Sequence, residues 1–89
     1  MDATTFEFQL SVPRDAEIAA VVRMMAEQAA RYAGCSEVHA AAFGEKVAEA
    51  VRAHLNGSAD PHGSIPIVVR RSTGPLEVRV DQRTVALDL

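Results

Sequence analysis

Glu45 and Glu49 stand four residues apart within Ser36 to Leu55, a segment whose apolar spacing predicts a helix. Two carboxylates one turn apart could share a cation. They otherwise repel, unless they are solvated and balanced by basic neighbours, which Lys46 and Arg52 supply. His54 closes the same segment and suits the negative end of a helix dipole. The three histidines, His39, His54 and His62, are widely spaced, and no Cys/His pair has zinc spacing. Cys35 is the one cysteine, so no internal disulfide can form. Its thiol could do redox or nucleophilic work, but its place between Gly34 and Ser36 favours a small apolar spacer at a buried turn. No Gly-x-x-x-x-Gly-Lys and no Gly-x-Gly-x-x-Gly occurs to cradle phosphates. Nothing positions a nucleophile for a Ser-His-Asp set. Arg70, Arg71, Arg79 and Arg83 form the notable basic group, a candidate for meeting an acidic partner or simply a solvated sheet face.

The elements that must carry these residues follow from periodicity. Phe6, Phe8, Leu10 and Val12 alternate with Glu7, Gln9 and Ser11, which predicts a half-buried strand ended by Pro13. Asp15 is placed to cap a helix, with Glu17 in its first turn. Ile18, Val21, Val22, Met25, Ala29 and Tyr32 form its expected buried stripe, and Arg23, Glu27 and Arg31 recur on a solvated face. Gly34 is the stop signal. Ser36 caps a second helix running to about Leu55, with Glu37 in its first turn. Ala40, Ala41, Phe43, Val47, Ala48, Ala50, Val51 and Leu55 give it a wide, mostly alanine surface, and Gly44 suggests a point of close packing. Asn56 to Ser64 reads as a loop. Ile65 to Arg71 and Leu76 to Asp81 read as a hairpin around Ser72–Pro75, and Val85, Leu87 and Leu89 as a closing strand. The expected fold is α+β: a two-layer sandwich in the order β-α-α-β-β-β, with two helices on one face of a mostly antiparallel sheet. Glu7, Gln9, Arg70, Glu77 and Arg79 should occupy the uncovered face.

Eighty-nine residues suggest one domain, 1–89, with a modest core. Apolar residues are 48% of the chain, above the disordered range, and aromatics only 4%, so the core must come from aliphatic residues and alanine. Such a core would gain from oligomerisation. A net charge of −3 argues against nonspecific nucleic-acid binding. The longest apolar stretch is broken by Arg23, Glu27 and Arg31, which excludes a membrane span there. No secretory signal opens the sequence, and a cytoplasmic location is the expectation.

The order strand, Pro13-Arg14-Asp15, helix, Gly34-Cys35-Ser36-Glu37, helix containing Glu49-Ala50-Val51 resembles the N-terminal half of the anti-sigma-factor serine kinases. These belong to the GHKL ATPases, with histidine kinases and gyrase. The resemblance extends over nearly the whole chain, and Leu76 to Asp81 matches the strand leading to the family's adenine-binding Asp. It implies that Glu49 occupies the place of the helix Glu that acts at the reacting phosphate, and Asp81 that of the adenine ligand. The family's magnesium Asn, four residues after the Glu, is replaced by Ala53. The glycines of its Asp-x-Gly-x-Gly are replaced by Arg83 and Val85, and no Gly-rich lid follows. Mg²⁺ needs near-octahedral oxygen ligands, and phosphoryl transfer needs positioning and charge neutralisation.

The sequence therefore reads as a truncated, degenerate ATPase fold. Glu49 and Asp81 are vestigial, with no catalytic residue, cofactor or metal expected. The expected function is a non-catalytic protein-interaction module in a partner-switching or sigma-factor type of circuit, forming a homodimer and using neither nucleic acid nor membrane. The alternatives are a serine/threonine kinase with an atypical ATP site, and a structural or assembly protein.

Overall fold

Alternation along the strands decides the sheet, and alanine decides how closely the helices approach it. The computed structural model describes residues 5–57, 63–71 and 74–87. Its elements are β1 (Phe6–Pro13), α1 (Ile18–Tyr32), α2 (Glu37–Gly57), β2 (Ser64–Arg71), β3 (Leu76–Val80) and β4 (Arg83–Leu87). The strands pair in chain order, β1-β2-β3-β4, and every pairing is antiparallel. This is the two-layer α+β arrangement, β-α-α-β-β-β, that the sequence predicts.

Register sorts the side chains into two faces. Phe8 lies opposite Val69, Leu10 opposite Ile67 and Val12 opposite Ile65. Val69 and Ile67 in turn face Val78 and Val80. These positions share the covered face, where Ile65, Ile67, Val69, Leu76, Val78 and Val80 are fully buried. Glu7, Gln9, Val68, Arg70, Glu77, Arg79 and Thr84 line a shallow depression of about 400 Å³ on the other face. The expected polar set therefore does occupy the uncovered side. Pro66 is accommodated in an inner strand because it lies beyond the last β2–β3 pair, Ile67 with Val80. Its carbonyl accepts the Asp81 N–H at 2.9 Å, so its missing donor faces the turn rather than a ladder carbonyl.

The buried side of α1 differs from the expected stripe. Ala19, Val22, Ala26, Ala29, Ala30 and Ala33 are buried, whereas Val21 and Tyr32 are 56% and 66% exposed. Small residues bury because they let α2 and the sheet come close, and the larger apolar side chains are left outside. The start of α1 also shifts. Glu17 holds the cap position without a side-chain cap bond. Asp15 instead builds the preceding turn, its Oδ1 accepting the Glu17 N–H at 2.9 Å and its carbonyl the Ile18 N–H at 3.0 Å.

Between the helices, Gly34 takes φ +96°. The Cys35 N–H donates to the Ala30 carbonyl and the Gly34 N–H to the Arg31 carbonyl, both at 3.0 Å. That 6→1 and 5→2 pair is the Schellman stop. Cys35 is half-buried against the core, as a spacer should be. Ser36 begins α2 as expected: the His39 N–H donates to its Oγ at 3.4 Å, and the Ala40 N–H to its carbonyl at 2.8 Å. Gly44 is buried where α1 crosses, with the Glu27 side chain pressed over it. It is a close-packing point, as predicted. The second helix continues to Gly57, two residues past the expected end, and Ala41 is exposed.

The closing strand starts earlier than predicted, at Arg83 rather than Val85. Val80 pairs with Arg83, leaving a two-residue turn of Asp81 and Gln82. Asp81 takes φ 55° there, a conformation that Asp tolerates better than most residues. Residues 58–62 of the expected loop, residues 72 and 73 of the hairpin connection, and Leu89 lie outside the described residues.

Candidate functional site

Four of the positions singled out by the resemblance, Glu49, Ala53, Arg83 and Val85, line an open cleft between α2 and β4, whereas Asp81 does not. Lys46, Glu49, Ala50 and Ala53 line one wall, and Arg83, Thr84 and Val85 the other, around about 580 Å³. Helical spacing places Glu49 and Ala53 one turn apart on the same side. The tight Asp81–Gln82 turn swings β4 back so that Arg83 meets them. Glu49, Lys46 and Arg83 are exposed, so the cleft is solvated and carries both signs of charge. Ala53 and Val85 contribute only methyl groups. On the sequence Lys46 stands out only as a charge balancing Glu45 and Glu49, and Thr84 belongs to no recognisable motif.

Asp81 is not among the residues that line this cleft. Its Oδ2 lies 3.7 Å from His54 Nδ1, and the His54 side chain is only 19% exposed. His54 therefore has a partner across the α2–sheet boundary, beyond its place at the helix end.

Glu45 and Glu49 part company. Glu45 sits between two guanidinium groups, accepting from Arg23 Nη1 at 3.2 Å and from Arg52 Nη2 at 3.3 Å. The balance predicted from Lys46 and Arg52 is thus struck by Arg52 and by Arg23 of α1. Glu45 is taken up by these two guanidinium groups rather than by Glu49's surroundings, and the described residues hold no cluster of three His, Cys, Asp or Glu. Hydrogen bonds from Arg23, then Arg52, hold the Glu45 carboxyl below its ordinary range. A group lowered in this way stabilises the fold above the ordinary carboxylate pKa of about 4.3. The contribution is lost as pH falls through the lowered value. Because the site is exposed, the effect is small. Glu45→Gln should slightly flatten the acid limb of melting temperature against pH, and a side-chain NMR titration of Glu45 should give a midpoint below about 4.3.

The four arginines do not form one patch. Arg70 is on the uncovered face, donating to Glu77 Oε1 at 3.0 Å. Arg79 shares that face. Arg71 alternates to the covered side, opposite Phe6 and Leu76. Its Nε and Nη1 are buried without a hydrogen-bond partner among the described residues. Arg83 belongs to the cleft.

The chain matches no family model, and no curated protein or solved structure is significantly similar to it. The functional reading therefore rests on the residues themselves. Among the described residues, no helix is long and apolar enough to cross a membrane.

Proposed function

We propose that this chain is a non-catalytic protein-interaction module, a degenerate form of the anti-sigma serine-kinase architecture. It would act in a cytoplasmic partner-switching or sigma-factor type of circuit, as a homodimer, through a protein partner. The observation that carries this reading is the cleft. At the positions where the resembling family grips magnesium and nucleotide, this chain places Ala53, Arg83 and Val85, and its Asp81 sits in a two-residue turn outside the cleft, 3.7 Å from His54. Exposed Phe8, Val21, Met24, Tyr32 and Val38 offer apolar surface of the kind protein partners cover.

Glu49 does line the cleft, and that one feature favours the competing reading of an ATP-dependent serine/threonine kinase. Titration with ATP and Mg²⁺, followed by thermal shift, separates the two. Any ligand that binds the folded state raises its melting temperature. The expected result is no saturable shift up to about 1 mM nucleotide. A saturating rise in that range, abolished by Glu49→Gln, would restore the kinase reading.

A further inference from the structure

The uncovered face of the sheet is hollow at its centre, and register explains why. Its side chains stand in rows across the strands. Glu7, Arg70 and Glu77 are successive partners in one row, and Gln9, Val68, Arg79 and Thr84 in the next. Val68 is short and half-buried. Gln9 and Arg79 on either side of it, and Arg70 two residues along the strand, are long and stand out from the same face. The depression of about 400 Å³ is thus floored by Val68 and walled by its longer neighbours. The charges of this face do not all cancel within it. Arg70 donates to Glu77 Oε1 at 3.0 Å, so that pair is satisfied. Arg79 has Val68 and Thr84 as its cross-strand neighbours, neither of them an anion. Glu7 stands opposite Arg70, whose guanidinium is turned to Glu77. Among the described residues, neither Arg79 nor Glu7 forms a hydrogen bond or an ion pair through its side chain. One cation and one anion are left over, at opposite corners of one hollow.

We propose that this hollow binds a short dipolar peptide, with the ligand's carboxylate on Arg79 and its ammonium on Glu7. A guanidinium fork takes a carboxylate through two N–H groups at once. The Thr84 hydroxyl, opposite Arg79, is a further donor for the same group, and the Gln9 amide has both a donor and an acceptor for a peptide bond. Val68 offers apolar surface to the ligand's body. Charge complementarity selects the class: a simple carboxylate would leave Glu7 unmatched, and a simple amine would leave Arg79 unmatched. Geometry selects the length. Two strand spacings and two residues put the Cα atoms of Glu7 and Arg79 about 12 Å apart, and the two side chains shorten that span. An extended chain gains about 3.3–3.6 Å per residue, so two or three residues bridge it. The hollow is also of small-molecule size, within about 300–1,000 Å³. It stands apart from the interaction-module reading above, although Thr84 also borders the α2–β4 cleft.

The test is a titration of the wild-type chain with trialanine, followed by amide NMR shifts at pH 7, where both ends of the peptide are charged. The expected result is a saturable shift at Gln9, Val68, Arg79 and Thr84, with half-saturation at about 1 mM. Two blocked probes separate the corners. N-acetyl-trialanine lacks the ammonium and trialanine amide lacks the carboxylate, and each should bind about tenfold more weakly or worse. Arg79→Gln should bind trialanine and its amide alike, and Glu7→Gln should bind trialanine and its N-acetyl form alike. Both variants change exposed side chains and should melt as wild type. No saturable shift up to about 20 mM trialanine would overturn the site. Equal binding of the free and blocked peptides by the wild-type chain would overturn the dipolar assignment, as would end preferences that survive Arg79→Gln and Glu7→Gln. Loss of this site would leave the interaction-module reading standing, since that reading is judged by nucleotide in the α2–β4 cleft.

Discussion

Replacing Phe43 by alanine should lower stability by about 3–5 kcal/mol. Phe43 is the largest fully buried side chain among the described residues, and the other buried residues of α1 and α2 are mainly alanine and valine. Alanines cannot swing into a vacated volume, so the cavity stays open and the cost falls at the upper end of the range. A domain of this size has about 5–10 kcal/mol in total, and each kcal/mol moves its melting temperature by about 4–8 °C. The variant should melt some 15–25 °C below wild type, followed by circular dichroism. Phe43→Leu, which keeps most of the volume, should cost only about 1–1.5 kcal/mol. If Phe43→Ala melts within a few degrees of wild type, the helices do not pack as described.

Gly44→Leu should be comparably severe, for the opposite reason. A Cβ at Gly44 would stand 2.5 Å from Glu27 Cγ, 3.0 Å from Glu27 Oε2 and 3.1 Å from Arg23 Cγ. Leaving glycine recovers about 1 kcal/mol of helix propensity, but a leucine must force the helices apart, and a net loss of about 3 kcal/mol is expected. Gly44→Ala is smaller and diagnostic. Alone it should destabilise by about 1 kcal/mol, the displaced Glu27 stem outweighing the propensity gain. Combined with Glu27→Ala, which removes that stem, it should be neutral or stabilising. Urea unfolding of the four species closes a double-mutant cycle with a coupling of about 1 kcal/mol or more. Additive effects would mean that Glu27 does not pack over Gly44.

The strands were legible because their signal is local: Phe6 to Val12 and Leu76 to Val80 alternate without interruption. Gly34 and Ser36 were legible for the same reason, since a stop and a cap each act within a few residues. The buried stripe of α1 was not. Side-chain size pointed to Val21 and Tyr32, yet burial went to Ala19, Ala26, Ala30 and Ala33, because closeness of approach decides a helix interface and alanine carries no periodic signal of its own. The closing turn was missed because Asp81-Gln82 lacks the glycine that marks most two-residue hairpins. At the site, Glu49, Ala53, Arg83 and Val85 were placed together by analogy, and the fold does bring them to one cleft. The Arg23–Glu45 and His54–Asp81 contacts join residues more than twenty apart, and no local pattern reports them. Arg70, Arg71, Arg79 and Arg83 read as one basic group, but Arg70 and Arg71, as neighbours in a strand, point to opposite faces.

Strand order that follows chain order has a kinetic consequence. The two helices meet as sequence neighbours, and β2, β3 and β4 form a meander, so most of the molecule can assemble through short loops. Only one strand pairing, Phe6–Pro13 with Ser64–Arg71, must close a circuit around both helices. Loop-closure entropy concentrates in that step. Of the four described strands, β1 stands earliest in the chain and is then the last to dock.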